Sequence, residues 1–190
     1  LELLKRRAGD AAFRYVSRER LDNIKYGLEK QRFDYVSEGG ISYRHLEISL
    51  SGVIQPENAA LAVEIMEALG RKGFFVTEKQ LRTGLFLAKW GYRFEVAARK
   101  PYFILDGAHN EDAAKRLSES IRFYFTNKKI LYIMGMLKDK EYEKVIAHTY
   151  AYAEQIVTVT PPGQARSLSG HELAQAASEY HPKVTEAASL

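Results

Sequence analysis

The stretch FILDGAHNEDAAKRL, residues 103–117, carries an apolar strand directly into an amphipathic helix through a polar turn. The apolar residues 102–105 are followed at once by the segment 106–110, which reads DGAHN. A turn from a strand to a helix needs only a glycine and a capping side chain. A carboxylate, an imidazole and a carboxamide within this one short turn therefore mark it as a candidate functional site.

Strands and helices alternate around this turn throughout the second part of the chain. RFEVAARKPYFIL reads as two strands around a turn at Lys100-Pro101, and the apolar runs KKILYIMGML and EQIVTVTP read as buried strands. Helical patterns follow in EDAAKRLSESIRFYF, KEYEKVIAHTYAYA and GHELAQAASEYH, and KVTEAASL begins another strand. This alternation predicts an α/β fold with a Rossmann-like, mostly parallel sheet flanked by helices.

The residues before a joint at 88 to 93 have a different pattern. Apolar side chains at roughly every second position in residues 33–50, interrupted by two glycines, predict a β-hairpin. Two helices follow, in QPENAALAVEIMEALG and in TEKQLRTGLFLAKW, and Thr77 is expected to cap the second. We therefore expect two parts, residues 1–88 and 89–190.

The first of these parts is expected to be weakly packed. A two-stranded ribbon under a single layer of helices buries little apolar surface and is marginally stable. We therefore expect residues 1–88 to be more mobile than the C-terminal sheet, or to bury an apolar face by self-association with a second copy of the chain.

The composition excludes several classes of protein. Of the 190 residues, 46% are hydrophobic and 27% are charged, which is typical of a globular protein. The net charge of +4 comes from Lys and Arg residues scattered among acidic ones, so we expect no nucleic-acid partner. The chain has no Cys, hence no disulfide or thiolate metal site, and no apolar stretch of the roughly 18 residues that a membrane helix needs. We therefore expect a cytoplasmic protein.

Ligands of open α/β sheets bind at the carboxyl ends of the strands, where the turn 106–110 is expected to lie. Asp106 can accept hydrogen bonds from a ribose or help to place Mg²⁺, while His109 and Asn110 can bind a carboxylate or steer an acyl phosphate. The next helix is expected to offer free N–H groups and its positive dipole end there. Alternatively, Asp106 or Asn110 only caps the helix, and His109 is a satisfied turn residue.

Three further polar residues are candidates for ligand binding. Arg93 follows the joint and suits bidentate phosphate binding, but it can also stack on Trp90 or Tyr92 as a surface residue. Asn58, in the first turn of a helix, can read an adenine edge or cap that helix. Arg166, in a loop between a strand and a helix, can face the same crevice as the DGAHN turn or remain on the surface.

Short sequence motifs indicate helix caps and exclude several kinds of catalytic and nucleotide-binding site. Asp139 in GMLKDKE is expected to cap the next helix, and Ser169 with Glu172 is expected to form a capping box. The sequence contains no phosphate loop GxxxxGK[ST], no GxGxxG, no HExxH and no GxSxG. Without a phosphate loop, we expect this chain not to hold a nucleoside triphosphate tightly by itself.

Five segments follow one another along the chain in this order: QPENAALA, KWGYRFEV, PYFILDGAHN, GMLKDK and TPPGQARSLSGHELA. In this order they resemble the C-terminal half of folylpolyglutamate synthase/dihydrofolate synthase, in the ATP-dependent Mur ligase superfamily. DGAHN after an apolar strand is the most specific segment, and the resemblance covers nearly the whole chain. It implies that residues 1–88 end a central ATPase domain and that residues 89–190 form a C-terminal Rossmann-like domain, truncated at its end.

The resemblance also implies roles for individual residues. Asn58 matches a residue at the adenine of ATP, and Arg93 matches one that contacts the ATP phosphates. Asp106 matches an aspartate of the nucleotide site and is, with His109, an implied catalytic residue. The implied glutamate-binding residues are His109, Asn110 and Arg166.

Two positions depart from the family pattern. The joint reads Trp-Gly-Tyr-Arg without the usual proline, and Glu111 replaces the proline that commonly follows DGAHN. We therefore expect the joint and the turn to be less rigid than in the family.

The implied reaction joins L-glutamate to a folate or dihydropteroate carboxylate through an acyl phosphate. ATP and Mg²⁺ are the implied cofactors. Their phosphate loop and metal ligands would lie N-terminal to this chain, so we expect no metal site here and no activity of the chain alone. Two alternatives stay open: a fragment of a Mur-type peptidoglycan ligase, which acts on UDP-linked peptides, and a non-catalytic nucleotide-binding module.

Overall fold

The computed structural model describes residues 2–8 and 15–187 and consists of two compact units. The first unit ends at Gly91 and the second begins at Tyr92. No helix among the described residues combines the length and the apolar content that crossing a membrane requires. The assignment of residues 1–88 and 89–190 to two ligase domains stays a prediction.

The first unit is a three-stranded antiparallel sheet with helices packed against it. Its elements are α1 (Glu2–Ala8), β1 (Leu21–Lys25), β2 (Gln31–Val36), β3 (Ser42–Ile48), α2 (Gln55–Gly70) and α3 (Glu78–Leu87). The predicted hairpin is confirmed as β2 and β3, and both predicted helices are present. The third strand, β1, pairs with β2 and was not predicted, because only Leu21 and Ile24 in it are apolar.

The core of this unit lies between the sheet and the helices. Phe33, Leu46 and Ile48 alternate along β2 and β3 and are at most 1% exposed. The small side chains Ala60 and Val63 of α2 close over them and are fully buried. Each large apolar side chain buried in this way contributes about 1.5–3 kcal/mol. The expectation of a weakly packed two-stranded ribbon is therefore wrong, because a third strand widens the sheet and its apolar face is covered.

A buried carboxylate ties α2 to the sheet. Glu64 is 1% exposed and accepts hydrogen bonds from the Tyr35 hydroxyl, at 2.7 Å, and from the backbone N–H of Glu38, at 2.6 Å. Burial, reinforced by the Glu64 carboxylate, raises the pKa of the Tyr35 hydroxyl, so the phenol stays protonated and donates. A buried carboxylate is tolerated only when donors surround it in this way.

We expect Glu64→Ala to lower the free energy of unfolding by about 2–4 kcal/mol, because it removes the acceptor of the buried Tyr35 hydroxyl and of the part-buried Glu38 N–H and opens a cavity. Glu57→Ala is the matched control on the same helix. Glu57 forms a partly exposed ion pair with Arg18, at 3.6 Å, so its loss should cost less than about 1 kcal/mol. Urea unfolding followed by circular dichroism measures both. An equal loss of unfolding free energy in the two variants would show that the buried hydrogen bonds of Glu64 do not stabilise the fold more than the ion pair of Glu57 does.

The second unit alternates strands and helices as predicted. Its elements are β4 (Glu95–Arg99), β5 (Tyr102–Leu105), α4 (Glu111–Tyr124), β6 (Leu131–Met134), α5 (Tyr142–Thr149), β7 (Gln155–Thr158), α6 (Gly170–Ser178) and β8 (Val184–Glu186). The strands β6, β7 and β8 form a parallel sheet in that order. The strands β4 and β5 form a separate antiparallel pair, because the short Lys100-Pro101 turn leaves no room for a parallel crossover.

The core of the second unit lies between the parallel sheet and its helices. Met134 and Ile156 on the strands pack with Ile146 of α5 and with Leu173 and Ala177 of α6. This packing fixes the ends of β6 and β7, so the loops that follow these two strands begin from rigid positions. Together with the loop after β5, they carry most of the polar residues that the sequence analysis identifies as candidates.

Candidate functional site at the carboxyl ends of three strands

The loops after β5, β6 and β7 are joined to one another by backbone hydrogen bonds. The N–H of Glu141 donates to the carbonyl of His109, at 3.3 Å, which joins the first loop to the second. The N–H of Lys138 donates to the carbonyl of Arg166, at 2.8 Å, which joins the second to the third. The three loops thus form one continuous surface where ligands of α/β sheets bind.

Asp106 clamps the segment before β4 to the turn after β5. One carboxylate oxygen accepts from the N–H of Phe94 and the other from the N–H of Ala108, both at 2.8 Å. The N–H of Gly107 also donates to the carbonyl of Tyr92, at 2.8 Å. Tyr92 and Phe94 both have positive φ angles, 59° and 51°, which cost energy in residues other than glycine. Asp106 therefore stabilises a strained segment, a role beyond helix capping.

The charge of Asp106 is disfavoured where it lies. Although the residue itself is exposed, protein atoms around the carboxylate remove part of its hydration, and this raises its pKa. The two N–H donors and the charge of Arg93 oppose that rise. A carboxylate held in this way is typical of functional sites, because it keeps a costly charge at a fixed point.

Arg93 lies between the two residues of positive φ, so the Asp106 clamp fixes its backbone from the C-terminal side. The residue is exposed, and its guanidinium is close enough to influence the carboxylate of Asp106 electrostatically. The segment thus presents a cation next to the three-loop surface, a position suited to phosphate.

His109 and Asn110 have different surroundings. The side-chain oxygen of Asn110 accepts from the N–H of Ala113, at 2.9 Å, so the capping interpretation of Asn110 is confirmed. The Nδ1 of His109 lies 2.8 Å from the carbonyl of Gly107. Because a carbonyl only accepts, Nδ1 carries the proton and Nε2 of the neutral ring is left as an acceptor.

The N-terminus of α4 was expected to offer free N–H groups, but the chain's own side chains bind two of them. The N–H of Glu111 donates to the carboxylate of Glu141, at 2.9 Å, and that of Ala113 to Asn110. Glu111 is in turn paired with Lys115 and Lys144, which lower its pKa to about 2. The expectation of free N–H groups is therefore wrong for these positions, because the chain's own side chains occupy them.

The hydrogen bond between the N–H of Glu111 and Glu141 is not indicated by the local sequence pattern. A proline at this position has no N–H and could not donate to Glu141. The departure from proline is visible in the sequence, but the partner Glu141 lies 30 residues away and joins the loop after β6 to the start of α4. The acidic residues in KDKEYEK were the available signal, and nothing in their spacing distinguishes Glu141 from its neighbours.

Arg166 and Asp139 bind each other. The guanidinium lies 2.7 Å from the carboxylate of Asp139, and both side chains are exposed. Asp139 therefore does not cap α5, which starts after Glu141 without a side-chain cap. The predicted capping box of Ser169 and Glu172 is confirmed at α6. Arg166 lies on the three-loop surface with part of its charge neutralised.

Asn58 lies in the first unit, on the first turn of α2. It is exposed, and its amide donates to the side chain of Gln55, at 3.1 Å. The N-cap residue of α2 is Ile54, which makes no side-chain cap, so the capping interpretation of Asn58 is wrong. A contact between Asn58 and adenine stays a prediction.

The described part of the chain offers no evident metal site. Within it, no three side chains of the acidic, histidine or cysteine kind are grouped closely enough to hold a metal ion. Asp106, a sequence-based candidate for placing Mg²⁺, has both carboxylate oxygens engaged by backbone N–H groups.

The second unit corresponds to a known protein family. A family model described as "Mur ligase, glutamate ligase domain" matches residues 92–190. The dihydrofolate synthase/folylpolyglutamate synthase of Bacillus subtilis is 35% identical over 115 residues, which are 60% of this chain and 27% of that protein. The folylpolyglutamate synthase of Lacticaseibacillus casei is 30% identical over 145 residues, 75% of this chain and 33% of that protein. The chain thus spans about a third or less of the length of these two curated relatives.

A solved structure shows the same fold over most of the chain. It is the folylpolyglutamate synthase of Mycobacterium tuberculosis, complexed with ADP and AMPPCP. The superposition has a TM-score of 0.79 at 25% identity and covers 88% of this chain and 37% of that one. The similarity therefore extends beyond the residues that the family model matches.

Proposed function

Because the chain belongs to the Mur ligase family through its glutamate ligase domain, we propose that its full-length protein is an ATP-dependent ligase that joins L-glutamate to a folate or dihydropteroate carboxylate. The observation that carries this proposal is the three-loop surface of the second unit, with Arg93, Asp106 and His109 around it. The names of the curated relatives support the folate substrate, and the nucleotides in the solved relative support the use of ATP. A cytoplasmic location is part of the same proposal.

The proposed reaction has two steps. A carboxylate oxygen of the folate attacks the γ-phosphorus of ATP, which forms an acyl phosphate and releases ADP. The amine of glutamate, after losing a proton, then attacks the carbonyl carbon, which forms the amide and releases inorganic phosphate. Negative charge develops on phosphoryl oxygens in the first step and on the carbonyl oxygen in the second.

We assign Arg93 to the first of these charges. Its guanidinium can bind phosphoryl oxygens in a bidentate manner, and the Asp106 clamp already orders the backbone that carries it. Asp106 acts here as a positioning residue for Arg93 and for the turn after β5.

We assign His109 to the amine of glutamate. With the Nδ1 proton held by the carbonyl of Gly107, Nε2 faces away from that bond as an acceptor. It can accept a hydrogen bond from the glutamate ammonium group and take up the proton that must leave before attack. Asn110 caps α4 and Arg166 is paired with Asp139, so we assign them a supporting place at the edge of the glutamate site.

The remaining parts of the reaction are assigned to the rest of the full-length protein. The printed sequence has no phosphate loop, and the described residues group no metal ligands. When bound, Mg²⁺ would neutralise phosphate charge during phosphoryl transfer. We accordingly expect the 190-residue chain alone to be inactive.

A substrate panel tests the proposal. The full-length protein is incubated with Mg-ATP, L-glutamate and one of three acceptors: dihydropteroate, a folate, or a UDP-linked muramoyl peptide. Mass spectrometry should show the addition of glutamate to one or both pterin acceptors and none to the peptide. Addition to the peptide alone would favour a peptidoglycan ligase. ATP binding without turnover of any acceptor would favour a non-catalytic module.

A further inference from the structure

A cavity of about 230 Å³ lies in the second unit, at the end of the parallel sheet opposite to the three-loop surface. It is lined by the last turn of α4, the loop that follows it and the segment before β7. Ile130, which lines it, directly precedes β6, and Tyr152 directly precedes the turn into β7. The cavity is therefore distinct from the site proposed for ligation, which follows the opposite ends of these strands.

Two basic side chains line this cavity. Arg122 and Lys128 both contribute to the wall, and within residues 2–8 and 15–187 neither side chain has an acidic partner. The neighbouring Lys129 differs, because it is paired with Glu154 at 3.0 Å. One lysine of the loop is thus paired, whereas Arg122 and Lys128 are exposed and have no acidic partner among the described residues, which leaves positive charge on the wall of the cavity.

Arg122 lies in the last turn of α4. Two carbonyl groups of this turn already have donors, since the N–H of Phe125 binds the carbonyl of Ile121, at 2.9 Å, and the hydroxyl of Thr126 binds the carbonyl of Arg122. A basic side chain in a last helical turn often satisfies such carbonyls. Here these two carbonyls are bound by other groups, so they do not require the guanidinium of Arg122.

Aromatic rings supply the apolar part of the wall. Phe125 is held in place by ring contacts with Phe94 and Tyr102, at centroid distances of 6.2 and 5.7 Å. Tyr152 contributes a second ring from the segment before β7. The cavity is smaller than the roughly 300–1,000 Å³ of sites for drug-sized ligands, so it has room for one ring and not for a nucleotide.

We propose that this cavity binds a small organic anion made of a single ring and one carboxylate or phosphate group. The anionic group lies against Arg122 and Lys128, and the ring packs on Phe125 and Tyr152. This site is independent of the proposed ligase function, since it involves none of the residues assigned to that reaction.

Phenyl phosphate is the probe for this site, with inorganic phosphate as its ring-free counterpart. Titration of the isotopically labelled 190-residue chain, followed by amide NMR, should give saturable shifts in the segments 122–130 and 150–153. Phenyl phosphate should bind at least about tenfold more tightly than inorganic phosphate, because the ring buries apolar surface.

The double variant Arg122→Ala/Lys128→Ala should weaken phenyl phosphate binding at least about tenfold, because each charge-assisted hydrogen bond contributes to affinity. Lys79→Ala, which removes an exposed lysine of α3, is the matched control and should leave the affinity unchanged. Amide spectra of all variants check that they are folded. Shifts outside these segments only, equal affinity for the two probes, or unchanged binding by the double variant would overturn the proposal.

Discussion

Replacement of Asp106 by alanine in the full-length protein is expected to lower the rate of ATP-dependent ligation about 30- to 1000-fold, which corresponds to about 2–4 kcal/mol. The reason is geometric. The carboxylate holds the N–H groups of Phe94 and Ala108, and through Phe94 it fixes the segment that carries Arg93. Without the clamp, the left-handed residues around Arg93 relax and its guanidinium loses its place at the phosphoryl group.

A thermodynamic cycle distinguishes this positioning role from general damage to the fold. If Asp106 acts through Arg93, the double variant Asp106→Ala/Arg93→Ala should be little slower than Arg93→Ala alone, because the two residues act as a unit. Asp112→Ala is the matched control, since this aspartate lies exposed in the first turn of α4. Steady-state kinetics with ATP and glutamate varied separately gives the four rates of the cycle and the rate of the control. Additive losses, or near-normal turnover by Asp106→Ala, would contradict the clamp.

His109→Ala is expected to raise the KM for glutamate about tenfold or more and to change the KM for ATP little. Nε2 is the only side-chain atom of His109 left to bind a ligand, because Nδ1 lies against the carbonyl of Gly107. Loss of a hydrogen bond to a charged ammonium group costs about 1.5–3 kcal/mol, which is roughly a 10- to 150-fold loss of affinity.

The matched control for this change is His171→Ala. His171 is on α6, is exposed, and lies 3.4 Å from Glu186, remote in sequence from the DGAHN turn. It should leave both KM values unchanged. A rise in the KM for ATP with an unchanged KM for glutamate would instead assign His109 to the nucleotide site.

Local sequence patterns predicted the parts of the structure that depend on neighbouring residues. The hairpin of β2 and β3 follows from alternation, and the capping box of Ser169 and Glu172 from residues three apart. The alternation of strands and helices likewise predicted the parallel sheet of the second unit. Each of these features is decided within one element or between adjacent ones, where periodicity and capping chemistry act.

The features that sequence inspection missed depend on residues far apart in the chain. Asp139 pairs with Arg166, 27 residues away, and so does not cap α5. Asp106 finds a donor in Phe94, 12 residues away across the hairpin. Strand β1 has few apolar residues and is held by its partner strand. Such contacts depend on which segments the folded sheet brings together, and the spacing of residues within one segment does not predict them.

The measurement that tests the central claim most directly follows the oxygen atoms of the acceptor. The full-length protein is given a folate whose reacting carboxylate carries a heavy oxygen isotope, together with ATP and L-glutamate. If the carboxylate is activated as an acyl phosphate and glutamate then displaces phosphate, one labelled oxygen should appear in inorganic phosphate for each glutamate added. The Asp106→Ala variant should show the same transfer at its reduced rate. Formation of the glutamyl product with unlabelled phosphate, or with AMP and pyrophosphate in place of ADP and phosphate, would contradict the account.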